Sequence, residues 1–135
     1  EMNNESEWVV VWAVPKLELE MPCWLMVRHK ERGWELPGGS MMENETYDIT
    51  ALRELFEESG LLGIATNIET NLLKDGVVVR VIVDEEPQPY GWDSNDKQIL
   101  EVGWCVDIPG ELYWGEEEIQ KMINHDWSAS SSLSS

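Results

Sequence analysis

The chain has 135 residues, of which 42% are hydrophobic and 9% aromatic, enough apolar material for one domain around one core. Acidic residues outnumber basic residues by 27 to 9, and the net charge of -18 argues against an extended nucleic acid as a partner. No apolar run approaches the length of a membrane span, so we expect a soluble protein with no membrane partner.

The two cysteines, Cys23 and Cys105, stand in apolar stretches, and neither belongs to a CxxC pair. No signal peptide is visible in front of them. We therefore predict two free, buried thiols and a cytoplasmic location, where thiols stay reduced. A structural zinc site is not expected, because the histidines His29 and His125 lie far apart in the sequence.

The first half of the chain predicts two strands and a helix. Residues 7–14 (EWVVVWAV) and 23–30 (CWLMVRHK) are β-branched or aromatic runs of strand length. Residues 31–39 contain three glycines and a proline, which predict a break in regular structure. Helical periodicity then extends over 44–59, and Gly60 follows at the position that favours glycine.

The second half predicts a hairpin, a strand and a second helix. Residues 63–86 form two apolar runs around Asp75 and Gly76, a favourable two-residue turn. A polar loop over 87–97 is followed by a strand at 98–108 and a helix at 115–125. Residues 128–135 are rich in serine, and we expect a disordered tail. This order predicts an α/β (α+β) domain with a mixed sheet between helices.

The first helix carries an acidic face. At about 100° per residue, Glu54, Glu57 and Glu58 fall above one another. The opposite face carries apolar residues and is expected to pack on the sheet: Ile49, Leu52, Leu55 and Phe56. Carboxylate oxygens are the ligands that hard divalent cations prefer, so the face is a candidate metal site. An ordinary solvated face is the alternative in so acidic a chain.

The residues in front of this face extend the pattern. Residues 39–61 resemble the Nudix box, G-x5-E-x7-R-E-U-x-E-E-x-G-U with U aliphatic, at every constrained position. The resemblance implies an α/β/α sandwich with a central mixed sheet and one Nudix domain over residues 1–127. It also implies hydrolysis of a nucleoside diphosphate linked to another group, with Mg²⁺, or Mn²⁺ as the alternative, as cofactor.

The resemblance assigns roles to individual residues. The implied metal ligands are the carboxylates of three glutamates and one backbone carbonyl: Glu54, Glu57, Glu58 and Gly38. Arg53 is expected to orient the glutamates, with Glu45 in support. Gly39 and Gly60 are expected to let the chain turn tightly.

The general base remains open between Glu54 and a downstream glutamate, for which Glu101 is the first candidate and Glu85 and Glu86 are substitutes. In some members of the family the helix residue equivalent to Glu54 is the base. In others a glutamate on a later loop or strand contributes. Glu101 resembles the acid that often precedes the tryptophan of a later strand. A surface charge at a strand edge is an equally good interpretation of Glu101.

The substrate is expected to be a small nucleotide. The segment WELPGG is similar to the MutT-like branch, which cuts nucleoside triphosphates to a monophosphate and pyrophosphate. Arg28, Arg32 and Lys30 are candidates for binding phosphates, and Tyr90 and Trp92 for stacking on the base; ordinary surface charge and core packing are the alternatives. Rival functions are hydrolysis of nucleotide sugars, dinucleoside polyphosphates or RNA 5′ ends, and nucleotide binding without cleavage. A monomer and a homodimer are both compatible with the sequence.

Overall fold

The computed structural model describes residues 7–133. Its helices and strands follow the chain in this order: β1 (Trp8–Pro15), β2 (Trp24–His29), β3 (Gly33–Glu35), β4 (Gly38–Ser40), α1 (Tyr47–Ser59), β5 (Gly63–Leu73), β6 (Gly76–Val83), β7 (Ile99–Cys105), α2 (Glu116–Asn124) and β8 (Ser131–Ser132). A 3-10 helix, Trp127–Ala129, precedes β8.

The described strands form two sheets. The larger has the order β4-β1-β6-β5-β8, in which β1 and β6 are parallel and the other pairs are antiparallel. The smaller is antiparallel with the order β3-β2-β7. Because the larger sheet is mixed and lies between α1 and α2, the predicted sandwich is confirmed.

Alternation along β1 and β6 divides the core into two clusters. Val9, Val11 and Val79 pack with Leu55 of α1 on one face. On the other face, side chains from β1, β6 and β2 pack with side chains of α2. This cluster consists of Val10, Trp12, Trp24, Met26, Val78, Ile119 and Met122. Successive side chains of a strand point to opposite faces, so a nearly continuous apolar run can serve both helices.

The predicted apolar face of α1 was wrong in part. Ile49 is 50% exposed and Phe56 is 52% exposed. The buried stripe instead runs through Ala51 and Leu55 and ends at Glu58. The helix is therefore rotated towards its acidic side, where Glu54 and Glu58 contact β4 while Glu57 stays exposed.

Two local predictions also differ from the structure. Residues 31–39 contain the short strands β3 and β4, which pair with β2 and β1. The hairpin turn comprises Lys74 and Asp75, one residue earlier than expected, because Gly76 already pairs with Leu73.

The serine-rich segment is ordered where it is described. Ser131 and Ser132 pair with β5, and the Leu133 N–H donates to the Thr66 carbonyl oxygen at 2.9 Å. Backbone pairing to an open sheet edge needs few apolar side chains, so composition did not indicate it. The expected disorder of residues 134 and 135 lies outside the described residues.

Two further predictions concern the whole chain. Cys23 and Cys105 are both free thiols, Cys23 buried and Cys105 half-buried. A helix that crosses a membrane needs about 20 mostly apolar residues, and no helix within residues 7–133 meets that requirement.

Candidate active site

Arg53 connects α1 to the loop in front of it. Its Nε lies 2.6 Å from Oε2 of Glu45, and its Nη2 lies 3.0 Å from Oε1 of the same carboxylate. Its Nη1 donates to Glu54 at 3.0 Å and to Glu57 at 3.2 Å. Its Nη2 also donates to the Ser40 carbonyl oxygen at 3.1 Å. One guanidinium thus holds three carboxylates relative to β4.

Glu45 is held as an anion. The hydrogen bonds from Arg53, the Met42 N–H and the Thr50 hydroxyl lower the pKa of Glu45 to about 2. The same contact with Glu45 raises the pKa of Arg53 above its usual range. Glu45 and Arg53 therefore form a permanently charged pair at neutral pH.

Glu58 is in the opposite electrostatic situation. It is 8% exposed, and its Oε1 accepts a hydrogen bond from the Gly38 N–H at 3.3 Å. Burial, followed by repulsion from Glu54, raises the pKa of Glu58 to about 9. Within residues 7–133, no lysine, arginine or histidine nitrogen pairs with this carboxylate. Burial disfavours the ionised form of a carboxylate that has no counter-charge, and a bound cation would stabilise that form.

Glu54 lies directly against Gly39. A Cβ atom added to Gly39 would come within 3 Å of the Glu54 carboxylate. Burial raises the pKa of Glu54, although the charge of Arg53 opposes this shift. The role expected for Gly39 was therefore wrong: Gly39 stands in a short strand and leaves room for a carboxylate. Gly60 does turn the chain, since its φ of 80° is in the left-handed region and it ends α1.

The acidic side chains do not converge on a single point. Within the described residues, no group of three or more histidine, cysteine, aspartate or glutamate residues is arranged to hold a metal ion. The cause is local: Arg53 draws Glu54 and Glu57 to itself, and Glu58 turns to the Gly38 N–H. The donor set still suits a hard divalent cation, because carboxylate oxygens are the ligands that such cations prefer and Glu58 has no cationic partner within residues 7–133.

The predicted basic residues line one cavity. Arg28, Lys30 and Arg32 surround a space of about 380 Å³ together with His29 and Glu111. Nη2 of Arg28 lies 3.6 Å from a Glu111 oxygen. Glu31 also lines this space, so three cations and two glutamates share it.

Arg32 is already engaged by neighbouring groups. Its Nε and Nη2 each donate to one oxygen of the buried Glu35 at 2.9 Å. Its guanidinium also stands 5.2 Å from the ring centre of Tyr113. Arg32 and Glu35 line a second, smaller cavity of about 210 Å³ with Trp8, Tyr113 and Trp114.

The predicted aromatic pair divides between two environments. Tyr90 is 72% exposed. Trp92 is half-buried, its Nε1 donates to the Ser59 carbonyl oxygen at 2.8 Å, and its backbone pairs with Val102. The position of Trp92 fits a role in fixing the 87–97 loop to the end of α1 rather than stacking on a base.

Two acids downstream of the box, Glu101 and Asp96, have different surroundings. Glu101 lies opposite Arg28 in the β2–β7 pair and against Gly91. The charge of Asp96 contributes to raising the pKa of both Glu54 and Glu58. Asp96 is therefore the downstream acid that the structure relates to the box glutamates.

Sequence reasoning missed two residues near the site, Asp96 and Glu35. Asp96 stands in the segment WDSNDK, from which only Trp92 was chosen. Glu35 belongs to WELPGG, and its position three residues after Arg32 was a usable signal for an ion pair.

The comparisons with known proteins agree with this geometry. A family model described as NUDIX domain matches residues 8–121. A putative 8-oxo-dGTP diphosphatase of Bacillus subtilis strain 168 is 46% identical over 37 residues, which are 27% of this chain and 23% of that protein. The chain thus matches less than a quarter of that relative's length.

Two solved structures share the fold. A NUDIX hydrolase from Nitrosomonas europaea superposes with a TM-score of 0.61 at 18% identity, over 98% of this chain and 78% of that chain. An ADP-ribose pyrophosphatase from Streptococcus suis 89-1591 gives 0.60 at 19% identity, over 90% of this chain and 96% of that chain. Since the family model covers most of the sequence and the box residues surround Arg53, the chain belongs to the NUDIX domain family of hydrolases.

Proposed function

We propose that the protein hydrolyses a pyrophosphate bond in a nucleoside diphosphate linked to another group, with Mg²⁺, or Mn²⁺ as the alternative. A nucleoside triphosphate, cut to a monophosphate and pyrophosphate, is the substrate that we favour. The observation that carries the proposal is the buried, unpaired Glu58 beside Glu54 and the β4 backbone.

The groups that would hold the cation are the carboxylates of three glutamates and one carbonyl: Glu54, Glu57, Glu58 and Gly38. When bound, the divalent ion neutralises phosphate oxygens and lowers the pKa of a coordinated water. Arg53 keeps Glu54 and Glu57 on one side of α1, and its fork to Glu45 keeps the arginine in place. The chain thus supplies an oriented set of anionic ligands beside β4.

The substrate's phosphates would lie towards the cavity lined by Arg28, Lys30 and Arg32, whose three cations outnumber its two glutamates. The cavity of Trp8, Tyr113 and Trp114 offers flat apolar walls for a base. Glu35 and Arg32 form part of its floor and have polar edges that a base can hydrogen-bond.

The proton of the attacking water would be accepted by a carboxylate oxygen. Glu54 is the first choice, because burial gives it a raised pKa and thus a stronger affinity for a proton. We assign Asp96 a supporting part as a further anionic ligand near Glu54 and Glu58. Glu101 is less favoured as the base, since its strand partner is Arg28 and its side chain lies against Gly91.

The similarity to a putative 8-oxo-dGTP diphosphatase supports a triphosphate substrate. The rival function as a nucleotide-binding module is less favoured, because every box glutamate is present. Long RNA is disfavoured by the net charge of -18. Tyr90 remains a candidate for base contact from an exposed position, and a cytoplasmic location remains an expectation.

A substrate panel tests the proposal. Nucleoside triphosphates (8-oxo-dGTP included), nucleotide sugars, ADP-ribose, dinucleoside polyphosphates and 5′-triphosphorylated RNA would each be incubated with Mg²⁺ or Mn²⁺. Products would be identified by chromatography and pyrophosphate release. We expect monophosphate and pyrophosphate from a triphosphate, and loss of turnover with EDTA. Absence of hydrolysis across the panel, with nucleotide binding retained, would favour the non-catalytic module.

A further inference from the structure

The last turn of α1 is closed by a side chain from outside the helix. The final four carbonyl oxygens of an α-helix have no N–H donor within the helix. In α1 the Phe56 carbonyl oxygen accepts from the Gly60 N–H at 2.8 Å. The Ser59 carbonyl oxygen accepts from the indole N–H of Trp92, also at 2.8 Å. The 87–97 loop thus supplies a hydrogen bond that the helix itself cannot form.

Trp92 is held in place by β7 and by the core. Its backbone N–H donates to the Val102 carbonyl oxygen, and its carbonyl oxygen accepts from the Val102 N–H, both at 2.9 Å. Its ring is half-buried and packs against the core cluster on the α1 face of the larger sheet. Because the backbone and the ring are both fixed, the direction of the indole N–H is set independently of α1.

Glu58 directly precedes the residue that Trp92 binds. Its side chain is buried, and its only listed hydrogen bond within residues 7–133 is from the Gly38 N–H at 3.3 Å, which is long for this kind of bond. The backbone of the last turn therefore decides where the carboxylate lies. Helix ends tend to fray, so the bond between Trp92 and Ser59 keeps Glu58 in one position.

The loop that contains Trp92 also carries Asp96, whose charge acts on Glu58. The carbonyl oxygen of Asp96 accepts from the Ile99 N–H at 3.0 Å, and its Oδ1 accepts from the Gln98 N–H at 2.9 Å. The Gln98 carbonyl oxygen in turn accepts from the Lys30 N–H at 2.8 Å. A hydrogen-bonded turn thus holds Asp96, and Trp92 joins the same loop to the turn of helix that holds Glu58.

We propose that Trp92 is a positioning residue for the cation site. Its indole fixes the last turn of α1, and with it Glu58, relative to the loop that carries Asp96. The inference rests on the proposed function because it needs a cation at these carboxylates, but it does not depend on which nucleotide is cleaved. Trp92 acts on the reaction only through the positions of Glu58 and Asp96.

Binding of Mn²⁺ to the wild-type chain and to Trp92→Phe tests the proposal without any nucleotide. Phenylalanine keeps an aromatic ring and removes the N–H that donates to Ser59. Electron paramagnetic resonance of free Mn²⁺ should show binding that is about 10- to 100-fold weaker in the variant, the range found when a group that orients a metal ligand is lost.

Trp104→Phe is the matched control for the loss of an indole. Trp104 packs against the same core cluster, and no hydrogen bond joins its indole to α1 within residues 7–133. Trp104→Phe should therefore bind Mn²⁺ as the wild-type chain does. Equal Mn²⁺ affinity of the wild-type chain and Trp92→Phe, or the same loss in both tryptophan variants, would overturn the proposal.

A double-mutant cycle separates positioning from a general loss of stability. Trp92→Phe should weaken Mn²⁺ binding by a smaller factor in a chain that already carries Asp96→Asn, because part of its effect passes through Asp96. Factors that multiply fully would contradict the proposal.

The wild-type chain alone supplies a further test in case Trp92→Phe does not fold. Small additions of Mn²⁺ should broaden the indole N–H signal of Trp92 in a nitrogen-edited proton spectrum before those of Trp12 and Trp24, which lie on the α2 face. Broadening in the reverse order, or no Mn²⁺ binding at all, would overturn the proposal. Weaker Mn²⁺ binding in Trp92→Phe without hydrolysis of any substrate in the panel would refute the proposed function and support the role of Trp92.

Discussion

Arg53 binds both carboxylate oxygens of Glu45, through Nε at 2.6 Å and Nη2 at 3.0 Å. This contact joins the middle of α1 to the loop that precedes it, across eight positions of sequence. Since Glu45 also accepts from the Met42 N–H and the Thr50 hydroxyl, its orientation is fixed from three directions. The remaining Arg53 nitrogen is thereby directed to Glu54 and Glu57.

Acid should weaken the fold through Glu45. The carboxyl has a pKa of about 2 in the folded chain, below the ordinary value of 4.5. Its contribution to stability is therefore complete above pH 4.5 and is lost as the pH falls from 4.5 towards 2. Urea unfolding at several pH values between 6 and 3 should show a smaller acid-induced loss in Glu45→Gln than in the wild-type chain. Parallel losses in the two proteins would contradict this role.

Alkali should weaken the metal-free fold through Glu58. Its pKa is raised from 4.5 to about 9, so the stability it contributes is complete below pH 4.5 and is lost as the pH rises towards 9. The melting temperature in EDTA should fall between pH 5 and pH 9, and Glu58→Gln should reduce that fall. Added Mg²⁺ should restore stability to the wild-type chain at the upper end of this range, because a cation balances the ionised carboxylate. The same pH dependence in the variant would refute the assignment.

Gly39→Ala should impair catalysis while leaving the fold intact. The new methyl group would meet the Glu54 carboxylate, which is the mobile end of a side chain and can move aside. A displaced ligand or base should lower the turnover of the triphosphate by about 10- to 100-fold. Gly110→Ala is the matched control, because nothing lies within 4 Å of its added Cβ atom. Equal turnover in the two variants, measured with circular dichroism as a check of folding, would argue against the close approach.

Asp96 and Glu101 can be separated by paired amide variants. Asp96→Asn should lower turnover by about tenfold or more, because its charge acts on Glu54 and Glu58 at the cation site. Glu101→Gln should change turnover by less than about threefold, as expected for a strand-edge charge. Initial rates over a range of Mg²⁺ concentrations should also show a weaker metal response in Asp96→Asn. The reverse order of effects would restore Glu101 as the downstream acid.

The sequence predicted those features that depend on local spacing. The order of strands and helices followed from periodicity, and the contact between Glu45 and Arg53 was expected from the box. Local patterns could not show how far α1 is rotated on the sheet. That rotation buries Glu58 and exposes Ile49 and Phe56. It depends on tertiary contacts of α1, such as those of Glu58 with β4 and of Ser59 with Trp92 of the 87–97 loop.

Sequence patterns also could not identify residues whose roles depend on tertiary contacts. Trp92 was a candidate for stacking on a base, with core packing as the alternative, and its indole N–H bonds to the end of α1. Asp96 stands among other polar residues in its loop, and only the folded chain relates its charge to Glu58. The order of residues 127–133 depends on pairing with β5 and on Asn67, which is about 60 residues away in the chain.

Pyrophosphate release by Glu58→Gln tests the central claim most directly. The wild-type chain and the variant would be compared with Mg²⁺ on the best triphosphate of the panel, and Glu43→Gln would control for loss of one exposed carboxylate. We predict a fall of about 100-fold or more in turnover for Glu58→Gln, with unchanged circular dichroism and an unaffected Glu43→Gln. Turnover equal to wild type in a folded Glu58→Gln protein would contradict the account.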